Sequence, residues 1–319
     1  MSGTVDLWKF LWLECHPYPI LIDMGRTFIG LIFTFLTGSV GALYSLNYKL
    51  KERRAYPTDP VMFFFSLTFV LVTTVFRLLF NEPIYNREAL LLGIPFGICM
   101  YLALRLYFVV ARRAQLNISW LIIQFSLLVP FGLSILIYRE TLEPQAILGI
   151  VFIFLSILFF ALGKRSSAQD AAIPDARTWA LLALSSLFSG IGVSMPRIYV
   201  GVNPAGGAFT LAFYQGLTLV LLSGAGLLLG RSKIPWKHYR GILLIAASMG
   251  VTSVPATAFI TMALRFLRGA VVYPLRSVIN ILCVFVLSFL LFKERVRILE
   301  AIGSALAVVG IVLLSVTLS

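Results

Sequence analysis

Charge is scarce in this chain, and negative charge most of all. Lysine, arginine, aspartate and glutamate make up 12% of the 319 residues, and only 13 residues are acidic. Hydrophobic residues make up 60%, and the mean hydropathy is +0.96. A water-soluble domain cannot hide that much apolar surface, so the composition predicts an integral membrane protein. The net charge of +13 would suggest nucleic acid in a soluble chain; here it is assigned to basic loops that hold helices in a bilayer, and no nucleic-acid partner is expected. Cysteine and histidine are rarer still. Cys15, Cys99 and Cys283 have neither disulfide nor metal-ligand spacing, and His16 and His238 fall beside loop charges, so no metal site or triad is expected. The sequence has no phosphate-binding glycine motif, and no cofactor is expected. Residues 1–23 lack the basic start and clean apolar run of a cleavable signal.

What is present is a series of apolar runs, each near the roughly 20 residues that a bilayer-spanning helix needs. They are predicted at about 26–48, 60–80, 88–110, 115–138, 144–163, 178–199, 207–229, 240–264, 269–292 and 298–317. Helices are the only spanning structure for such runs, because each helix satisfies its own backbone N–H and C=O groups. The run Leu7–Leu13 is too short to span, and its tryptophans fit a helix lying in the interface. The chain therefore divides into an N-terminal interfacial segment (1–25), a first five-helix repeat (26–165), a polar linker (166–177) and a second five-helix repeat (178–319).

The two halves copy each other. With a shift of 154 positions and no gap, Leu121 falls on Leu275, Leu128 on Leu282, Phe131 on Phe285, Ser134 on Ser288, Glu140 on Glu294 and Gly149 on Gly303. Leu67, Thr68, Val70 and Leu71 echo Leu217, Thr218, Val220 and Leu221, and Gly38 and Gly41 resemble Gly190 and Gly192. Five spans per half is odd, so the second half enters the membrane the other way up. The predicted fold class is all-α integral membrane, with about ten transmembrane helices as an inverted repeat of two five-helix halves, a construction typical of secondary transporters. The odd-numbered loops hold sixteen lysines and arginines and the opposite side seven. The positive-inside rule then puts the odd loops in the cytoplasm and both termini outside the cell (inner) membrane.

The paired pattern S-x-x-x-x-x-E…G, at Ser134, Glu140, Gly149 and again at Ser288, Glu294, Gly303, resembles the drug/metabolite transporter superfamily (DMT) in its ten-helix EamA-like members. The helix number and midpoint linker agree, over nearly the whole of 26–319. The resemblance implies a central cavity between the halves and alternating access. The orientation departs from it: many members keep both termini in the cytoplasm, and this charge pattern argues the reverse, as in some sugar-transporting members.

All thirteen acidic residues fall in predicted loops or at helix ends. A proton-coupled exporter of cations usually needs a mid-membrane carboxylate, so that class is disfavoured. Arginines do enter the spans, as Arg77, Arg105 and Arg276. A charge at the centre of a membrane helix costs about 2.5–3.5 kcal/mol on insertion scales, so each needs a reason. Arg77 is near a helix end and can snorkel. Arg105 shares a face with Tyr101 and Phe108 at helical spacing, and is balanced between snorkelling and substrate contact. Arg276 lies about two turns into the ninth span, with Tyr273 at i−3, Asn280 at i+4 and Ser277 bordering that face. The first repeat has Ser119, Ile122 and Ser126 at the equivalent positions, so this polar stripe belongs to the second copy alone. The bland alternative ties Arg276 to backbone carbonyls freed by Pro274 in a broken helix.

Further candidate lining groups are Trp120 and Gln124 in the fourth span, Tyr214 and Gln215 in the seventh, Ser248, Thr252 and Pro255 in the eighth, and Tyr44 and Tyr48 in the first. Aromatics, neutral polar groups and one or two arginines suit a small polar neutral, zwitterionic or anionic metabolite. Glu140 and Glu294 fall at opposite membrane faces, where capping or gate-latching ion pairs fit better than shared catalysis. The expectation is a transporter rather than an enzyme, because the spans hold no nucleophile–base pair. The alternative is a flippase for a lipid-linked or amphiphilic anion. The partners expected are a small-molecule substrate and the lipid bilayer, with either a monomer or a dimer compatible.

Overall fold

The computed structural model describes residues 24–111, 125–165, 176–229, 238–292 and 298–316. All regular structure among them is helical. In order it comprises α1 (Met24–Arg53), α2 (Thr58–Leu79), α3 (Arg87–Ala111), a 3-10 turn (Phe125–Leu127), α4 (Leu128–Leu136), α5 (Pro144–Arg165), α6 (Ala176–Val202), α7 (Ala208–Leu229), α8 (Tyr239–Phe266), α9 (Gly269–Phe292) and α10 (Ile298–Val316). Seven of these helices (α1, α2, α3, α6, α7, α8 and α9) are long and apolar enough to cross a membrane. Large apolar side chains such as Phe28, Leu71, Leu221, Leu228 and Leu244 are more than half exposed along them, while polar Thr34, Ser66, Gln215 and Thr261 are buried. Apolar groups outside and polar groups inside suit lipid as the solvent. The chain is a multi-pass, membrane-embedded helical protein.

Most helix boundaries agree with the predicted spans to within two or three residues, and α1 runs about five residues longer. Its extra turn holds because Lys51 is not solvated: its side chain is fully buried, with Nζ 2.5 Å from Glu52 Oε1, 3.0 Å from Thr58 Oγ1 and 3.8 Å from the Phe108 ring centroid. The interfacial segment 1–23, the start of the fourth span at 112–124, the linker core 166–175 and Glu294 lie outside the described residues. Pro255 and Pro274 do not break their helices; α8 and α9 run on through them.

Small residues set the packing. α1 lies against α8 and α9, and α6 against α3 and α4. α3 packs on α7, α8 on α2, α2 on α7 and α5 on α10. At these seams a Cβ added to Gly97 would meet Thr218 at 2.5 Å, and one added to Gly250 would meet Thr68 at 2.7 Å. Likewise a Cβ on Gly38 would meet Ile279, and one on Gly190 would meet Val129, each at 2.6 Å. Without a hydrophobic force between helices in lipid, such close approach is what holds them together.

Acidic side chains tie the helix starts. Asn81 ends α2 in the left-handed region (φ 51), and Glu82 then turns back to accept from Thr210 N (2.7 Å) and Thr210 Oγ1 (3.0 Å) at the start of α7. After α4, Arg139 takes φ 48 and Glu140 N–H donates to the Ser134 carbonyl at 3.2 Å. Glu140 thereby faces the start of α9, accepting from Gly269 N (3.2 Å) and Ala270 N (2.8 Å). Arg197 of α6 closes the group, its Nη2 2.6 Å from Glu140 Oε1. The carboxylate therefore meets both a guanidinium and the positive end of a helix dipole.

Candidate functional site

The polar stripe of α9 lines a partly open cavity of about 170 Å³ between the packed helices. Tyr273, Arg276, Ser277 and Asn280 all face it, as their spacing of three and four residues requires. The cavity wall is completed by Gly41, Tyr44, Ser45 and Tyr48 of α1 and by Phe65 and Phe69 of α2. Tyr107 of α3, Ser126 of the 3-10 turn, Ser189 of α6, Gln215 of α7 and Thr257 of α8 also contribute. The volume is below the roughly 300–1,000 Å³ of sites for drug-sized ligands, so a small solute fits.

Hydrogen bonds within and between the helices hold the wall. Tyr273 Oη donates to the Val193 carbonyl of α6 at 3.2 Å. Asn280 Nδ2 donates to the Gly38 carbonyl of α1 at 3.4 Å, leaving Asn280 Oδ1 buried without a partner among the described residues. Gln215 is 3% exposed, and its Oε1 is likewise buried and unpaired. Tyr48 Oη donates to Tyr44 Oη, and their rings meet edge to face at 4.8 Å between centroids. Among the described residues Arg276 is the only charged group in the lining, and no carboxylate forms an ion pair with it. An electropositive, largely aromatic chamber with serine, threonine and amide side chains in its wall can bind an anionic group and hydrogen-bond beside it.

Beyond the two ends of the cavity lie the two buried ion pairs. Past Tyr48, Lys51 pairs with Glu52 under Phe108. Past Tyr273, Glu140 and Arg197 join α4, α6 and the start of α9.

The structure sorts the sequence candidates. Tyr273, Arg276, Ser277, Asn280 and Gln215 come together at the cavity. Tyr101 and Arg105 do not line it. Arg105 Nη1 lies 2.5 Å from Tyr101 Oη and 3.7 Å from Asp59 Oδ1, with a side chain 41% exposed. Tyr214 points away from its neighbour Gln215 and donates to the Ile84 carbonyl at 3.0 Å. Ser248 accepts from Asn47 Nδ2 at 3.1 Å, and Thr252 donates to the Ser248 carbonyl at 2.7 Å; the α8 residues that reach the cavity are Ser253, Ala256 and Thr257. Trp120 and Gln124 lie outside the described residues. Tyr107 and Ser189 were not marked by the sequence. Tyr107 is two residues from Arg105 on the same helix, so the choice of one face hid the other.

No family model and no curated protein matches the chain. A solved crystal structure, described only as that of a protein, aligns with 91% of this chain and 98% of its own, with a TM-score of 0.69 and 14% identity. At that identity the likeness is one of fold alone.

Proposed function

We propose that this protein is a secondary transporter of the EamA-like drug/metabolite transporter type. It would move a small polar neutral, zwitterionic or anionic metabolite by alternating access. The observation that carries the reading is Arg276: a guanidinium without a carboxylate partner among the described residues, facing a chamber walled by both halves of the chain. An unpaired charge within a membrane span is costly, and a ligand that completes it would explain it.

The packing supports an inverted repeat of two five-helix halves. Exchanging each helix with the one five places on turns the α1–α8 contact into α6–α3, α3–α7 into α8–α2, and α1–α9 into α6–α4. The same exchange turns the Gly97–Thr218 contact into Gly250–Thr68, and Asn280 beside Gly38 into Ser126 beside Gly190. Two halves that contact each other across a shared cavity, with a buried ion pair beyond either end, are the parts that alternating access needs. The basic loops favour an inner-membrane orientation with both termini outside.

Uptake into proteoliposomes tests the reading. Purified protein should move at least one radiolabelled metabolic anion down an imposed gradient, and Arg276→Ala should abolish that flux. Wild-type flux in the Arg276→Ala protein would sink the assignment of Arg276.

A further inference from the structure

The charge balance of the cavity narrows the substrate class. Among the described residues its wall carries one positive charge, on Arg276, and no negative one. Two lining residues also hold an amide oxygen that is buried and has no hydrogen-bond partner among the described residues, Asn280 Oδ1 and Gln215 Oε1. The Asn280 amide is oriented by its nitrogen, which donates to Gly38, so the oxygen is the group left over. Tyr44, Phe65, Phe69 and Tyr107 supply an aromatic wall. The Tyr44 and Phe65 rings stand 5.9 Å apart between centroids.

Resting on the transport reading, we propose that the cavity takes a monoanionic hydroxy acid with an aryl or branched apolar body and discriminates against the amino acid of the same shape. The carboxylate meets the Arg276 guanidinium, as planar charge-assisted pairing favours. The neutral hydroxyl donates to an amide oxygen of Asn280 or Gln215 once that side chain rotates its buried oxygen toward the cavity, and these oxygens accept but bring no charge. The apolar body lies against the aromatic rings. Charge counting separates this class from its neighbours. A hydroxy acid neutralises the chamber. An amino acid offers the same carboxylate but adds an ammonium that finds no carboxylate among the lining groups, so the loaded chamber stays positive. A phosphate monoester overshoots to negative. A charge left without a partner in the cavity is the costly element in each rejected case.

The test uses matched pairs that differ only in hydroxyl against ammonium: lactate and alanine, 2-hydroxyisocaproate and leucine, 3-phenyllactate and phenylalanine. Binding to the purified full chain is read by thermal shift, and movement by uptake into proteoliposomes. Phenyllactate should bind at least about tenfold more tightly than phenylalanine, the scale of one unpaired buried charge. Its methyl ester should lose binding. Arg276→Gln, checked for helix content and monodispersity, should remove the phenyllactate preference. Asn280→Asp gives the ammonium its missing partner and should turn the preference toward phenylalanine, which keeps the proposal testable if Arg276→Gln does not fold. Equal binding of the two members of every pair, or no binding of any, overturns the proposal. Equal uptake of phenylalanine overturns it while leaving the transport reading intact. Selective binding of phenyllactate without movement across the vesicle wall supports the ligand class and overturns the transport reading.

Discussion

A Cβ at position 41 would lie 2.7 Å from Asn280 Nδ2, so the bare backbone of Gly41 in α1 is what gives the Asn280 amide its place in the cavity wall. One turn earlier, Gly38 does the same for the α9 backbone, where an added Cβ would be 3.0 Å from the Arg276 carbonyl. Gly41→Val should therefore displace the Asn280 amide from its place in the cavity wall, at the low end of the roughly 1–3 kcal/mol of overpacking, and should stop uptake. Gly132→Ala in α4 is the control, because a Cβ there meets nothing within 4 Å among the described residues. It should keep wild-type flux and gain up to roughly 1 kcal/mol from reduced backbone freedom. Wild-type flux in Gly41→Val protein would show that the α1–α9 seam does not shape the site.

Glu140 is predicted to matter more for holding the helices together than for binding solute. Its side chain is 7% exposed and that of Arg197 16%, so this pair is little screened by solvent. Glu140→Ala strands the Arg197 guanidinium and uncaps α9, and should destabilise by about 3–5 kcal/mol. Arg197→Met added to Glu140→Ala should recover part of the loss, because no unpaired buried charge then remains. Thermal melts of the four proteins in a double-mutant cycle measure the coupling, and purely additive losses would sink the latch.

The repeat pattern was legible in the sequence because the same residue types recur at a fixed spacing. Ser134 and Glu140 recur at positions 288 and 294, and in the first copy they dock and cap the start of α9. The Arg276 stripe was legible for the opposite reason, since it breaks the repeat in an otherwise apolar span. Arg105 and Tyr214 show where the reading stopped. A polar group inside a span announces that it needs a partner, but periodicity within one helix does not say which neighbour supplies it. Arg105 found Asp59 and Tyr101, and Tyr214 found the Ile84 carbonyl, both away from the cavity. Conversely, Tyr107 and Ser189 carry no mark in their own helices, and only the packing of α3 and α6 brings them to the chamber.

Arg105 and Arg276 are accordingly expected to behave differently. The Arg105 side chain is 41% exposed and its Asp59 contact is 3.7 Å, so its ion pair is worth little. Arg105→Gln should keep substrate affinity within about twofold of wild type, well under the 1.4 kcal/mol of a tenfold change. Arg276→Gln should lose it. Competition binding with a transported anion checks both, and an equal loss in the two variants would place Arg105 in the binding site.

Lys51 tests whether its end of the cavity is a gate. Its buried ammonium links α1 to the start of α2 through Glu52 and Thr58, and it stacks on Phe108 of α3. Lys51→Met fills similar space over the ring but leaves the Glu52 carboxylate, 9% exposed, without this cation. That carboxylate gains by turning out to water, which loosens the junction of the three helices. A cysteine at Ser45, which lines the cavity nearly two turns inside this junction, reports the loosening. In a background with Cys15, Cys99 and Cys283 replaced, an impermeant thiol reagent applied from the side of the α1–α2 loop should label that cysteine several-fold faster in Lys51→Met protein. Lys51→Arg should stay near the parent rate, because it keeps the charge. Reagent from the other side should show no such increase. Faster labelling from both sides would mean general destabilisation, and unchanged labelling from the loop side would remove Lys51 from the gate.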